Sequence, residues 1–105
     1  MVILIVDHNA DEVHHFSEAM RSVHVSAQCI AAYNSEQALN ILKSGVVPDY
    51  VFLDNALQEM NVRDTLKALR KSRSYKKIPV VVFGTVILEE EMDALKASAD
   101  HVLIR

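Results

Sequence analysis

The sequence lacks several features that would each point to one class of protein. Its single cysteine, Cys29, excludes a disulfide framework, and its place in the apolar run 27–32 predicts a buried thiol in a reducing compartment. No apolar run approaches the length of a membrane span, and residues 1–6 are too few for a signal sequence. A formal net charge of -3 argues against general nucleic-acid binding, which needs a basic face. We therefore expect a cytoplasmic protein that contacts neither membranes nor nucleic acid directly.

The chain instead alternates apolar runs with amphipathic segments. Its 105 residues, of which 50% are hydrophobic, fit one domain that spans residues 1–105. Apolar runs predict strands at 2–6, 25–32, 50–53, 80–83 and 101–104, and the small residues of 25–32 indicate an edge strand. Apolar residues at three- and four-residue steps predict four intervening helices, the first beginning at Asp11. The positions that mark the helices are Val13, Phe16, Met20 and Val23; Ala38, Leu39, Ile41 and Leu42; Leu66 and Leu69; and Leu88, Met92 and Leu95.

This alternation predicts an α/β fold. Right-handed crossovers place helices on both faces of a parallel sheet, here five-stranded in the order 2-1-3-4-5. That arrangement needs a fifth helix after the last strand, and the fifth helix is missing from the sequence. Part of one sheet face would then be open, so we expect a homodimer or another partner on that face, or a fragment of a longer protein.

Basic residues are concentrated in the third helix and the segment after it. Charge runs usually face water, so a solvated helix is the simplest interpretation. The alternative is a docking surface for an acidic partner, such as the acidic first turn of the fourth helix. Seven of the 11 lysines and arginines of the chain lie here: Arg63, Lys67, Arg70, Lys71, Arg73, Lys76 and Lys77.

Two of the apolar strands end in an acid, Asp7 and Asp54. Ligands of open α/β sheets bind beyond the carboxyl ends of the strands, which favours a functional acid, whereas an acid after a strand is also a common helix N-cap. The two strands would be neighbours, so the carboxylates would converge, and paired oxygen donors suit Mg²⁺. Phosphoryl chemistry at a carboxylate also needs a cation, and Arg105 at the tip of the last strand is placed for that role.

Four segments, taken in order, resemble the receiver domain of two-component response regulators. They are ILIVD at 3–7, PDYVFLD at 48–54, IPVVVF at 78–83 and ASAD at 97–100, and the resemblance covers the whole chain. It implies a flavodoxin-like three-layer fold and phosphoryl transfer from a histidine kinase or phosphotransfer protein to Asp54. Mg²⁺ would be held by Asp7, Asp54 and the backbone carbonyl of Ala56. Such a module is not an enzyme beyond slow self-phosphorylation from a donor and autodephosphorylation.

Several positions depart from the family pattern. His8 replaces the second acid, so we expect weak Mg²⁺ binding, with His8 either binding a softer metal such as Zn²⁺ or, as we favour, lying protonated against the carboxylates. The expected hydroxyl position is Gly84, with Thr85 one place too late. Arg105 replaces a lysine and Val102 an aromatic switch residue.

The combined changes predict a degenerate receiver that is phosphorylated slowly at Asp54 and acts through protein contacts. One alternative is a phosphorylation-independent scaffold or dimerisation module that uses the basic third helix. A second is a flavin or small-molecule site in the same crevice. The second is disfavoured because no glycine-rich phosphate loop follows the first strand, in a chain with only two glycines.

Overall fold

The structure is a computed structural model that describes residues 1–54, 62–72, 75, 77–84 and 99–104. The predicted fourth helix and the loop after the third strand lie outside these residues. Within them, strands and helices alternate along the chain. The elements are β1 (Val2–Val6), α1 (Ala10–Val23), β2 (Gln28–Ala32), α2 (Ser35–Lys43), β3 (Tyr50–Asp54), α3 (Val62–Lys71), β4 (Val80–Gly84) and β5 (His101–Ile104).

All five strands are parallel and form one sheet in the order β2-β1-β3-β4-β5. The predicted flavodoxin-like α/β fold is therefore confirmed. β1 and β3 stand next to each other, with Val6 paired to Leu53 in the register. No helix among the described residues is long and apolar enough to cross a membrane.

Side chains alternate between the two faces of the sheet and build a separate core on each. On the α1 face, Ile5 and Phe83 pack with Val13, and the rings of Phe16 and Phe52 lie 4.7 Å apart between centroids. Full burial of one such side chain is worth about 1.5–3 kcal/mol. The larger core faces α2 and α3; its buried members are Leu4, Val6, Ala32, Ala38, Leu42, Val51, Leu53, Leu66, Leu69, Ile78, Val80 and Val82.

In the 2-1-3-4-5 strand order the missing fifth helix would share a face with the first helix, so the α1 face is the one on which we expect an opening. Its residues Ile5, Val81 and Phe83 are buried, and Phe52 is half-buried. The described part of this face therefore presents no large exposed apolar area. A homodimer through this face stays a prediction.

The helices α1 and α2 are each capped by an asparagine at their amino-terminal end. Asn9 Oδ1 accepts hydrogen bonds from the N–H groups of Asp11 and Glu12, at 2.9 and 3.2 Å. Asn34 Oδ1 accepts from Gln37 N–H at 2.8 Å. These bonds satisfy backbone donors that have no partner inside the helix.

The second strand is shorter than predicted. It begins at Gln28 and not at residue 25, because the Ala27 N–H bonds back to the His24 carbonyl in a tight turn after α1. Val25, predicted to lie in the strand, is in this turn and is 92% exposed, and Val23, predicted on the buried side of the first helix, is 84% exposed at the end of α1. Cys29 is half-buried, since β2 is an edge strand with a neighbour on one side only.

Arg70 and Asp100 join α3 to the amino-terminal edge of the sheet. Arg70 donates to the Ile78 carbonyl at 3.0 Å and to Asp100 Oδ2 at 2.9 Å, and the Val80 N–H donates to the same Oδ2 at 2.7 Å. Partial burial alone would raise the pKa of Asp100, but the hydrogen bonds from Val80 and Arg70, with the positive charges of Arg70 and His101, lower it overall. The acid is thus held in its charged form.

The basic helix is solvated along the part that the structure describes. Lys67, Lys71 and Lys77 are exposed, as the simpler interpretation predicts. Arg70 does not follow this interpretation, because its guanidinium donates hydrogen bonds to the Ile78 carbonyl and to Asp100 at the edge of the sheet.

Candidate functional site

Two buried acids meet at the carboxyl end of the central strands. β1 pairs with β3 in a register that joins Val6 to Leu53, so the residues that follow, Asp7 and Asp54, stand side by side. The Asp7 N–H donates to the Ala32 carbonyl at 3.0 Å and thereby extends the ladder to β2 by one residue. Asp7 is 0% and Asp54 3% exposed. The predicted convergence of the two acids is confirmed.

His8 covers this pair of acids from the solvent side. Its Nδ1 lies 3.0 Å from Asp54 Oδ2 and 3.7 Å from Asp7 Oδ1, and its side chain is 58% exposed. In the tautomer that carries its proton on Nδ1, the Nδ1–H donates and the Asp54 carboxylate oxygen accepts. The predicted contact between His8 and the carboxylates is therefore present, while its protonation stays a prediction.

Asn9 is a positioning residue that the sequence did not reveal. Its backbone N–H donates to Asp7 Oδ1 at 2.9 Å, while its side chain caps α1. One residue therefore fixes both the start of the helix and the orientation of the acid. The signal in the sequence was an asparagine two and three places before the acidic residues Asp11 and Glu12, a typical N-cap pattern.

Asp7, His8 and Asp54 together could hold a divalent metal ion. One ligand atom from each lies within 4.8 Å of the other two. The two carboxylates suit Mg²⁺, but the imidazole is a poor ligand for it, because Mg²⁺ takes oxygen donors. An imidazole nitrogen is a good ligand for Zn²⁺, Ni²⁺ or Co²⁺. The described residues therefore include both predicted carboxylate ligands, Asp7 and Asp54, with the His8 imidazole beside them.

Gly84 is the only other predicted site residue among those described. Asp54 pairs with Phe83 in the register, so Gly84, the last residue of β4, lies one step further toward the same sheet edge. It brings no hydroxyl to that edge. Ala56, Thr85 and Arg105 lie outside the described residues, and their roles stay predictions.

A scan against protein-family models finds no match, and a search of curated proteins by sequence finds none. Solved structures do match over nearly the whole chain. The phosphorylated cyanobacterial phytochrome response regulator RcpA is similar at a TM-score of 0.90 and 22% identity, over 98% of this chain and 79% of that chain. The chemotaxis response regulator CheY4 of Vibrio cholerae is similar at 0.87 and 21%, over 99% and 85%.

The Mn²⁺-bound form of the response regulator Rcp1 is similar at a TM-score of 0.87 and 22% identity, over 98% of this chain and 79% of that chain. The chain therefore has the fold of response regulator receiver domains.

Proposed function

We propose that this chain is a receiver module of phosphorelay signalling, with Asp54 as a slow phosphoacceptor. The observation that carries the proposal is the position of the Asp54 carboxylate, buried at the carboxyl end of β3 beside Asp7. A fold shared with receivers would not suffice alone, because unrelated functions occupy the same fold. The acid pair at the sheet edge supplies the chemistry.

The transfer needs one nucleophile and one leaving group. An Asp54 carboxylate oxygen attacks phosphorus, and the P–N bond to a phosphohistidine donor breaks. The electron pair of that bond stays on the donor imidazole nitrogen, and Asp54 becomes an acyl phosphate. Autodephosphorylation by water returns the carboxylate and releases phosphate.

Two features of the described site support slow transfer. His8 Nδ1 contacts Asp54 Oδ2 at 3.0 Å, so an incoming phosphoryl group has to displace the imidazole before it reaches that oxygen. Gly84 offers no hydroxyl at the end of β4 to bind a phosphoryl oxygen. Positioned donors and cations carry most of the catalysis of phosphoryl transfer. The imidazole contact and the missing hydroxyl should therefore each lower the rate of transfer. Arg105 in place of a lysine belongs to the same proposal.

The partners follow from this role. A histidine kinase or a phosphotransfer protein in the cytoplasm would supply the phosphoryl group, and the output would be a change in protein contacts. The chain has no further catalytic activity in this proposal beyond self-phosphorylation from a donor and autodephosphorylation.

The proposal is tested by incubation with acetyl phosphate and a divalent metal, followed by intact-mass measurement over time. We expect slow addition of one phosphoryl group to the wild type and none to Asp54→Asn. Asp11→Asn is the matched control, since Asp11 is an exposed acid in the first turn of α1. It should react like the wild type.

Equal reaction of Asp54→Asn and the wild type would overturn Asp54 as the acceptor. Complete modification of the wild type within the dead time would leave Asp54 as the acceptor and overturn the impaired rate.

A further inference from the structure

We infer that Asp7, His8 and Asp54 form a metal site that favours Zn²⁺-like transition metals over Mg²⁺, with His8 as the ligand that sets this preference. The inference rests on the site of the proposed function but not on phosphoryl transfer itself. It is therefore measured without any phosphodonor.

The distances between the three donors suit a single ion. Zn²⁺ lies about 2.0–2.2 Å from nitrogen and oxygen ligands, so neighbouring ligand atoms of a tetrahedral site stand roughly 3.3–3.6 Å apart. His8 Nδ1 is 3.0 Å from Asp54 Oδ2 and 3.7 Å from Asp7 Oδ1. Rotation of the largely exposed His8 side chain moves Nδ1 relative to the carboxylates, and one ligand atom from each of the three residues already lies within 4.8 Å of the others. On binding, the Nδ1 proton leaves and its lone pair faces the metal.

The two carboxylates are already held in place. Both are buried, and Asp7 Oδ1 accepts the Asn9 N–H at 2.9 Å. Hydrogen bonds of this kind orient a metal ligand and limit the entropy that binding removes. The exposed member of the site is His8, the residue whose chemistry decides which ion binds.

The preference follows from the change of one donor. A third carboxylate at position 8 would add negative charge and a hard oxygen, both of which favour Mg²⁺. An imidazole adds no negative charge and a softer nitrogen, which Zn²⁺, Ni²⁺ and Co²⁺ bind well. Histidine at position 8 thus weakens the binding of Mg²⁺ and retains the binding of Zn²⁺-like ions.

A second pair of residues on the surface could bind the same metals and must be separated from this site. His14 Nε2 lies 3.1 Å from Glu18 Oε1, one helical turn apart on α1, with both side chains largely exposed. Removing His14 takes away an imidazole without touching the three residues of the candidate site. His14→Ala is therefore the matched control.

The experiment is isothermal titration calorimetry, which measures the affinity of the full chain for Zn²⁺ alone and for Mg²⁺ alone. We expect His8→Asp to lower the Zn²⁺ to Mg²⁺ affinity ratio at least about tenfold. His8→Ala should weaken Zn²⁺ about tenfold and change Mg²⁺ less than about threefold. The Ala variant keeps the test valid if a third acid destabilises the fold. His14→Ala should bind both ions at this site like the wild type.

Failure of the wild type to bind Zn²⁺, an unchanged affinity ratio in His8→Asp, or a loss in His14→Ala equal to that in His8→Ala would each overturn the inference. Visible absorption of the Co²⁺-loaded protein gives an independent readout, since loss of the nitrogen ligand in His8→Ala should shift the bands. A chain that binds Zn²⁺ through His8 but never gains a phosphoryl group would contradict the proposed function alone.

Discussion

His8 Nδ1 stands 3.0 Å from Asp54 Oδ2, so an imidazole contacts the carboxylate that we propose as the phosphoacceptor. The contact joins two effects in one residue. The imidazole covers one of the two Asp54 oxygens, and its nitrogen is also a potential metal ligand beside the two carboxylates.

The first prediction concerns the rate of phosphorylation. His8→Asp removes the imidazole from Asp54 and supplies a third oxygen donor for Mg²⁺, so the rate with acetyl phosphate and Mg²⁺ should rise about tenfold or more. The rate is measured by intact mass. Asp54→Asn in the His8→Asp background should abolish the addition. A rate that is unchanged or lower would show that His8 does not limit the reaction.

The second prediction concerns the pH dependence of stability. The pKa of Asp100 is lowered in the folded state, so its charge stabilises the fold above the unfolded-state pKa, and this contribution is lost as the pH falls through the folded-state pKa. The Asp100 side chain is 46% exposed, which screens the effect. Asp100→Asn should therefore lower the free energy of unfolding at pH 7 by about 0.5–1 kcal/mol.

Urea unfolding of the wild type and Asp100→Asn from neutral pH down to about pH 3 checks this sign. The difference between them should shrink as the pH falls. Glu18→Gln, which removes the same charge from the exposed His14 pair, is the control and should change stability by only a few tenths of a kcal/mol. A difference that grows toward acid pH would contradict the assignment.

The third prediction concerns a buried hydroxyl pair that links α2 to α3. Thr65 Oγ1 donates to Ser35 Oγ at 2.9 Å, and both residues are only 1% exposed. Each of Ser35→Ala and Thr65→Val should cost about 1 kcal/mol, because each disturbs a buried polar partner. The double variant should lose about 1 kcal/mol less free energy of unfolding than the two single losses added together. Strict additivity in urea unfolding would show that the pair is not coupled.

The fourth prediction concerns the start of α2. Asn34 accepts the Gln37 N–H, and Gln37 Oε1 accepts the Tyr33 N–H at 2.9 Å. Asn34→Ala should cost about 1 kcal/mol of stability. Asn40→Ala, on an exposed position inside the same helix, should be neutral or stabilising because alanine is the better helix former. Equal effects of the two changes would refute the cap.

The strands and the acid pair were predictable from the sequence because each depends on local pattern. Continuous apolar residues at Val2–Val6 require a strand covered on both faces, and an acid after such a strand must lie at the sheet edge. The cap of α2 follows a local pattern as well, an asparagine at 34 with a glutamine three places later, although Gln37 Oε1 accepts from the Tyr33 N–H and not from the Asn34 N–H. These features need no knowledge of distant parts of the chain.

The remaining features depend on contacts between distant segments. Val25 is of a residue type that favours strands. It is nevertheless exposed, because it lies in a turn closed by the hydrogen bond from the Ala27 N–H to the His24 carbonyl. In the sequence, Arg70 is indistinguishable from the neighbouring basic residues that face solvent. Only the folded chain brings Asp100 into contact with it. The sequence also identified His8 as the altered ligand, but the tighter contact to Asp54 than to Asp7 depends on the pairing of β1 with β3.

The most direct measurement of the central claim locates the phosphoryl group on the chain. The protein is incubated with acetyl phosphate, the acyl phosphate is reduced with borohydride to homoserine, and the modified position is found by peptide mass spectrometry. We predict homoserine at position 54, formed faster in His8→Asp than in the wild type. Homoserine at another acid, or at none in either protein, would contradict the account.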